Sequence, residues 1–179
     1  MRTRVLGVDC GSNITGYGII DSDGFSSLVV TSGVISTSPR LSFPQRLKIV
    51  SDSLRSLIAE HSPAVMAVED IFHSVNVSSL KKLGQVKGVV LLAAADAGIA
   101  VHEYSPLEIK SGVVGYGRAE KPQVQQMVQA ILGLRETPPE DAADALAVAL
   151  CHAHRAHILN KVAQASGKSP KPAAPAYSA

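Results

Sequence analysis

Four carboxylates occupy positions from which they could share one cleft. Asp9 closes an apolar, strand-like run and is followed by a glycine turn, in Val5-Leu6-Gly7-Val8-Asp9-Cys10-Gly11. Glu69 closes a second such run, Ala64-Val65-Met66-Ala67-Val68-Glu69. Asp141 and Asp144 stand three apart near the start of an alanine-rich helical stretch, which sets both on one helix face about a turn apart. The small alanines between them would let that face approach a strand closely. Converging carboxylates repel one another and are costly to desolvate, so a chain gathers them chiefly around a cation. Hard oxygen donors without a Cys/His set point to Mg²⁺, with Mn²⁺ able to substitute. Two such ions in one site suit in-line phosphoryl transfer. The chain reads first as a metal-dependent nuclease.

Each acid alone has a plainer explanation. Asp9 and Glu69 could merely end strands, and Asp141 could be a favourable charge near a positive helix terminus. Asp9-Cys10-Gly11 with Gly16 and Gly18 also looks like the first phosphate loop of actin-like ATPases and sugar kinases, which need two related domains and far more chain. Cys151, His152, His154 and His157 suggest zinc at first sight, but their spacing on one helix does not bring four ligands together.

Composition is compatible with a polyanionic substrate. The net charge is +2 with these four acids included, so the rest of the chain is more basic than the total implies. With 179 residues, 46% of them apolar, there is enough chain for one sizeable core. Cys10 and Cys151 have no metal or redox spacing and read as free thiols of a reducing, cytoplasmic setting. The longest apolar stretch, 89–95, is far too short to span a bilayer, so no membrane association is expected.

The elements that must position the acids follow from periodicity. Residues 4–8, 15–20 and 27–35 read as three successive strands with turns between them. Leu47, Val50, Leu54, Leu57 and Ile58 fall at helical spacing within 43–60, and a fully apolar strand runs to Glu69. A helix over about 77–97 carries apolar residues beyond a single stripe, which predicts burial on more than one side. A strand at 99–104 follows, then a mobile loop marked by glycines 112, 115 and 117, then a helix over 120–132. The last helix, with Thr137 as N-cap, is expected to reach about residue 157. Three strands in a meander followed by alternating strands and helices imply an α/β domain with a mixed sheet and helices on both faces. The domain is placed at 1–158. Residues 159–179, rich in Pro, Ala, Ser and Lys, read as a disordered basic tail.

Five segments in series then point to a family. They are Val8-Asp9-Cys10-Gly11-Ser12, Ala67-Val68-Glu69-Asp70-Ile71-Phe72, Leu83-Gly84-Gln85-Val86-Lys87-Gly88-Val89, Val114 to Lys121, and Asp141-Ala142-Ala143-Asp144-Ala145-Leu146-Ala147. Together, over residues 4–157, they resemble the bacterial RuvC crossover-junction endonucleases, the Holliday-junction resolvases. The resemblance implies a ribonuclease-H-like fold with a mixed five-stranded sheet and a homodimer acting on four-way junction DNA in recombination and repair. It also implies symmetric nicks in two opposed strands and cooperation with a RuvA–RuvB branch-migration complex. Its catalytic and metal-binding acids carry over to Asp9, Glu69, Asp141 and Asp144. In that scheme Asp9 bridges two ions, Glu69 and Asp144 complete their shells, and Asp141 binds or polarises the attacking water. The products are a 5′-phosphate and a 3′-hydroxyl. Where the family usually has proline after the first aspartate, this chain has Cys10, which implies altered loop stiffness without lost chemistry.

The resemblance also assigns DNA contacts. Phe72 would stack on unpaired bases, and Asn76 in the same loop would contact the backbone. Lys110 and Lys121 match basic positions of the family's DNA surface, and Lys87 and Arg118 belong to the wider electrostatic footprint. Lys121 stands in the first turn of a helix, where the dipole disfavours a cation. That local conflict is what a phosphate-facing lysine would produce.

Overall fold

The computed structural model describes residues 2–71 and 77–166. The expected DNA contacts Phe72 and Asn76, and residues 167–179 of the expected tail, lie outside the described residues. Five strands, β1 (Thr3–Asp9), β2 (Ile14–Ser22), β3 (Ser27–Ser36), β4 (Val65–Glu69) and β5 (Ala100–Tyr104), form one sheet in the order β3-β2-β1-β4-β5. β1 pairs antiparallel with β2 and β2 with β3, while β1–β4 and β4–β5 pair parallel. The expected mixed sheet is therefore present.

Alternation along the strands divides the core. On one face Leu6, Val8, Met66 and Val68 pack against α1 (Phe43–His61), through Val50, Leu54 and Ile58, and against α2 (Val77–Asp96). On the other, Val5, Val65 and Ala67 meet α3 (Pro106–Val114), α4 (Lys121–Leu132) and α5 (Glu140–Ala165). Fully burying aliphatic side chains of this size contributes about 1.5–3 kcal/mol each, so both layers are held firmly to the sheet.

Three local expectations need correction. The segment with glycines 112, 115 and 117 is not simply a loop: α3 occupies Pro106–Val114. Ser105 caps it, its Oγ accepting from the Glu108 N–H at 3.3 Å while Glu108 Oε2 accepts from the Ser105 N–H at 2.9 Å. Gly112 lies inside this helix because a Cβ there would stand 3.0 Å from Cys151 Sγ, and Gly115, at φ 94°, ends it. Thr137 is not the N-cap of the last helix. Pro139 holds that place without a side-chain cap, and the Thr137 hydroxyl bonds Gln129 Oε1 at 3.0 Å. α5 also continues to Ala165, past the expected end near residue 157, so the first residues of the expected tail are helical.

α2 differs from expectation as well. Its buried residues, Val86, Lys87, Val90, Ala93 and Ala94, make one stripe, while Leu80 and Leu92 are exposed. Gly84 and Gly88, a turn apart, have open space where a Cβ would point. No helix among the described residues is long and apolar enough to cross a membrane.

Candidate active site

Strand alternation and parallel pairing together set the first two acids side by side. Val5 and Gly7 of β1, and Val65 and Ala67 of β4, face α5, so Asp9 and Glu69 continue those rows onto the same face. The β1–β4 register pairs Val8 with Val68, which leaves Asp9 and Glu69 as neighbours at the carboxyl ends of adjacent strands. α5 delivers the other two. It crosses β1 and β2 so closely that a Cβ on Gly7 would stand 2.1 Å from the Ala145 carbonyl oxygen, and one on Gly16 1.9 Å from that of Asp141. Only a glycine seat under an alanine-rich helix permits this approach, and it brings Asp141 and Asp144 to the end of β1. Gly16, which on sequence also fits a phosphate loop, serves as a helix seat.

Asp9, Glu69 and Asp144 line a cleft of ≈ 320 Å³ with Lys110, Lys121 and the apolar side chains of Pro106, Ile109, Val124 and Ala147. Burial raises the Asp9 carboxyl to about 6, and the nearby charges of Asp144 and Asp141 push the same way. Burial likewise raises Glu69 to about 7, assisted by the Asp9 and Asp144 charges and by a hydrogen bond to Asp9. Both carboxyls are thus pushed towards their neutral forms, and a hydrogen bond links them. Asp144 is raised by burial and held back by Lys121. Asp141 does not line the cleft wall, but its charge acts on both Asp9 and Asp144.

Lys121 Nζ bonds Asp144 Oδ2 at 2.7 Å and Glu140 Oε1 at 2.6 Å. Burial pulls this ammonium down, yet the two carboxylates hold it above the usual lysine range. Its place in the first turn of α4 is therefore compensated by partners on α5. Among the described residues no three Asp, Glu, His or Cys side chains already surround a single metal position. The side-chain pairings accompany this: Asp9 and Glu69 bond each other, while Asp144 bonds Lys121. The donor set still fits a hard divalent cation: carboxylates lining one cleft, two of them pushed towards neutrality by burial and by one another's charge.

The expected DNA residues separate into three groups. Lys110 and Lys121 border the cleft, and Arg118 is exposed beyond it. Lys87 is misplaced by the sequence reading. It is buried at 8% exposure, bonds Asp70 Oδ1 at 2.6 Å and also pairs with Glu103, so its charge is engaged within the protein and not on the exposed surface. Cys10 points to the opposite face from Asp9, packs against the α1–α2 core and has its thiol pushed by burial up to about 12. It borders an adjoining cleft with Asp70, Ile71 and Leu83, which shares Asp9, Glu69 and Pro106 with the acidic one.

The Cys/His group of α5 does not converge. Cys151 Sγ bonds the Glu108 carbonyl, His152 Nδ1 meets the Tyr104 hydroxyl, His154 Nδ1 meets the Gly112 carbonyl, and His157 packs on Phe25. Glu140 was missed by the sequence reading. The signal was its place directly before Asp141, in a first helical turn that favours acids.

Comparison with known proteins agrees with this architecture. The family model described as crossover junction endodeoxyribonuclease RuvC matches residues 5–152. The crossover junction endodeoxyribonuclease RuvC of Citrifermentans bemidjiense is 50% identical over 154 residues, covering 86% of this chain and 94% of that protein. Among solved structures, T. thermophilus RuvC in complex with Holliday junction substrate superposes with a TM-score of 0.83 at 34% identity, covering 87% of this chain and 96% of that one. The yeast mitochondrial Holliday junction resolvase shares the fold, with a TM-score of 0.64 at 14% identity over 85% of this chain and 78% of that one. The sheet that sets Asp9 beside Glu69, and the glycine-seated helix that brings Asp144 to them, are those of a known lineage: this chain belongs to the RuvC family of crossover junction endodeoxyribonucleases.

Proposed function

We propose that the acidic cleft is where this endonuclease hydrolyses one phosphodiester in each of two opposed strands of a four-way DNA junction. The observation that carries the reading is the convergence of Asp9, Glu69 and Asp144 on one cleft with Lys110 and Lys121 at its border. The family's nucleases are metal-dependent, and Asp9, Glu69, Asp141 and Asp144 would hold Mg²⁺, or Mn²⁺ in its place, as two ions per site. Divalent ions held there supply charge neutralisation and Lewis acidity to the phosphate. The chain's own groups do the rest. Asp141, at the edge of the cluster, orients the attacking water and accepts its proton. Lys110 and Lys121 hold phosphate oxygens. Apolar Pro106 and Ile109 limit water at the scissile bond. The cut leaves a 5′-phosphate and a 3′-hydroxyl that ligation can reseal directly.

Junction shape, read through backbone contacts, supplies most of the selectivity. Two opposed cuts call for a two-fold enzyme, and the α2 surface supports one. Gly84 and Gly88 face open space, with Val77, Leu80 and Leu92 exposed on the same helix. Phe72 and Asn76 belong to this reading as junction contacts, Arg118 as an outer phosphate contact and RuvA–RuvB as a partner complex. Cytoplasmic action is part of the same proposal.

The test is Mg²⁺-dependent nicking of a synthetic four-way junction, with duplex DNA and RNA as competitors. Paired, symmetric nicks confined to the junction are expected, with faster resolution when RuvA–RuvB is added. Cleavage of RNA alone would transfer the chain to another ribonuclease-H-like activity. Sedimentation of the free protein as a monomer that stays monomeric on the junction would remove the homodimer.

A further inference from the structure

Next to the acidic cleft lies a second charged cluster with a different balance. Lys87, on the buried stripe of α2, reaches the carboxyl ends of two strands at once. Its Nζ donates to Asp70 Oδ1 at 2.6 Å and pairs with Glu103 of β5. Asp70 is the residue after Glu69. Its Oδ1 also accepts from the Ile71 N–H at 2.8 Å, and its own N–H donates to the Tyr104 carbonyl at 2.8 Å. The chain leaving β4 is therefore tied to α2 by an ion pair, to β5 by a backbone bond, and to itself by a turn. A buried lysine is costly unless its charge is paired and hydrogen-bonded, and here two carboxylates meet that condition.

We propose that Lys87 is a positioning residue for cleavage: through Asp70 it fixes the strand end that presents Glu69 to the cleft, and it contacts no DNA. The inference rests on the reading of Glu69 as a member of the active site. Lys87 pairs with Glu103, which lies beside Val68 on the α2 side, whereas Glu69 follows Ala67 on the α5 side, so its hold on Glu69 runs through Asp70 and the backbone between them. A shift of about 1 Å at a reacting group can lower a rate by about 10²-fold, which sets the scale of the effect.

The experiment compares wild type, Lys87→Met, Lys87→Arg, Asp70→Asn and Glu69→Gln in the full chain. Junction affinity is measured without divalent metal, and single-turnover cleavage at saturating enzyme. Lys87→Met is expected to slow cleavage by about 10- to 100-fold with affinity within about threefold of wild type. Lys87→Arg should restore most of the rate. Asp70→Asn, which keeps the shape and the acceptor oxygen but not the charge, should slow cleavage less than Lys87→Met and leave affinity unchanged. It carries the test should Lys87→Met fail to fold. An affinity loss that fully accounts for the slower cleavage would make Lys87 a phosphate contact and overturn the proposal. So would an unaltered rate in Lys87→Met, or in Asp70→Asn should Lys87→Met fail to fold. Failure of the parent reading is separate: it is Glu69→Gln cleaving at the wild-type rate.

Discussion

Glu69 and Asp70 are adjacent in the chain, yet the charged clusters they join are opposites. Around Glu69 three carboxylates share one nearby ammonium, and burial together with repulsion pushes Asp9 to about 6 and Glu69 to about 7. Around Asp70 a buried lysine lies between two acids, and its hydrogen bond holds the Asp70 carboxyl below the usual range. In the first cluster neither Asp9 nor Glu69 has an ammonium bonded to it, whereas in the second both carboxylates bond the lysine. A cluster kept short of positive charge stores electrostatic strain that a divalent ion or a substrate can relieve, whereas a satisfied one fixes geometry. On the proposed reading, the two faces of one strand end divide chemistry from support.

The largest effect expected from this contrast is at Asp9. Asp9→Asn should abolish cleavage, on the order of 10³-fold or more, because metal-assisted charge stabilisation is worth several kcal/mol. Metal-free junction binding should be retained in a gel-shift assay. Equal loss of both would make Asp9 a structural residue and erase the distinction.

The seat of α5 comes next. Gly16→Ala places a Cβ against the Asp141 carbonyl, with an expected stability loss of about 1–3 kcal/mol by denaturant titration. Cleavage should fall in the same variant, since Asp141 and Asp144 move with the helix. Normal stability and activity would show that the close approach does not position the acids.

The third prediction concerns pH. The folded chain keeps protons on Asp9 and Glu69 after the unfolded chain has released them, so both acids contribute less to stability as pH rises from about 4 to about 7. Buried His152, depressed to about 4, acts in the opposite sense through the same window. The informative quantity is therefore the difference between wild type and variant. Metal-free Asp9→Asn should match wild type near pH 4 and exceed it by about 1–3 kcal/mol at pH 8. A difference independent of pH would mean that the cluster is not short of positive charge. The smallest effect belongs to the exposed Arg55–Asp96 pair, whose removal should cost less than about 1 kcal/mol and leave cleavage unaltered.

Much of this contrast was visible in the residues themselves. Apolar runs ending at Asp9 and Glu69, and the three-residue spacing of Asp141 and Asp144, carry the site because strand ends and helix faces are local properties. Burial is not local, and Lys87 shows the consequence. Its sequence context signals a charge near the site but not the side of α2 on which it sits or the two acids that await it. α3 was hidden for a related reason. Gly112, Gly115 and Gly117 read as a loop until Cys151 on a distant helix is seen to require the first of them. Thr137 failed as a cap because Gln129 on a neighbouring helix takes its hydroxyl.

The central claim is that the carboxylates from both ends of the chain form one divalent-cation site, and it is tested most directly by anomalous diffraction from crystals soaked in Mn²⁺. The account predicts peaks within ligating distance of Asp9 and at least two of Glu69, Asp141 and Asp144, with Lys121 no longer bonded to Asp144. Manganese bound only elsewhere on the protein, with the Lys121–Asp144 pair intact and the cleft empty of metal, would contradict it.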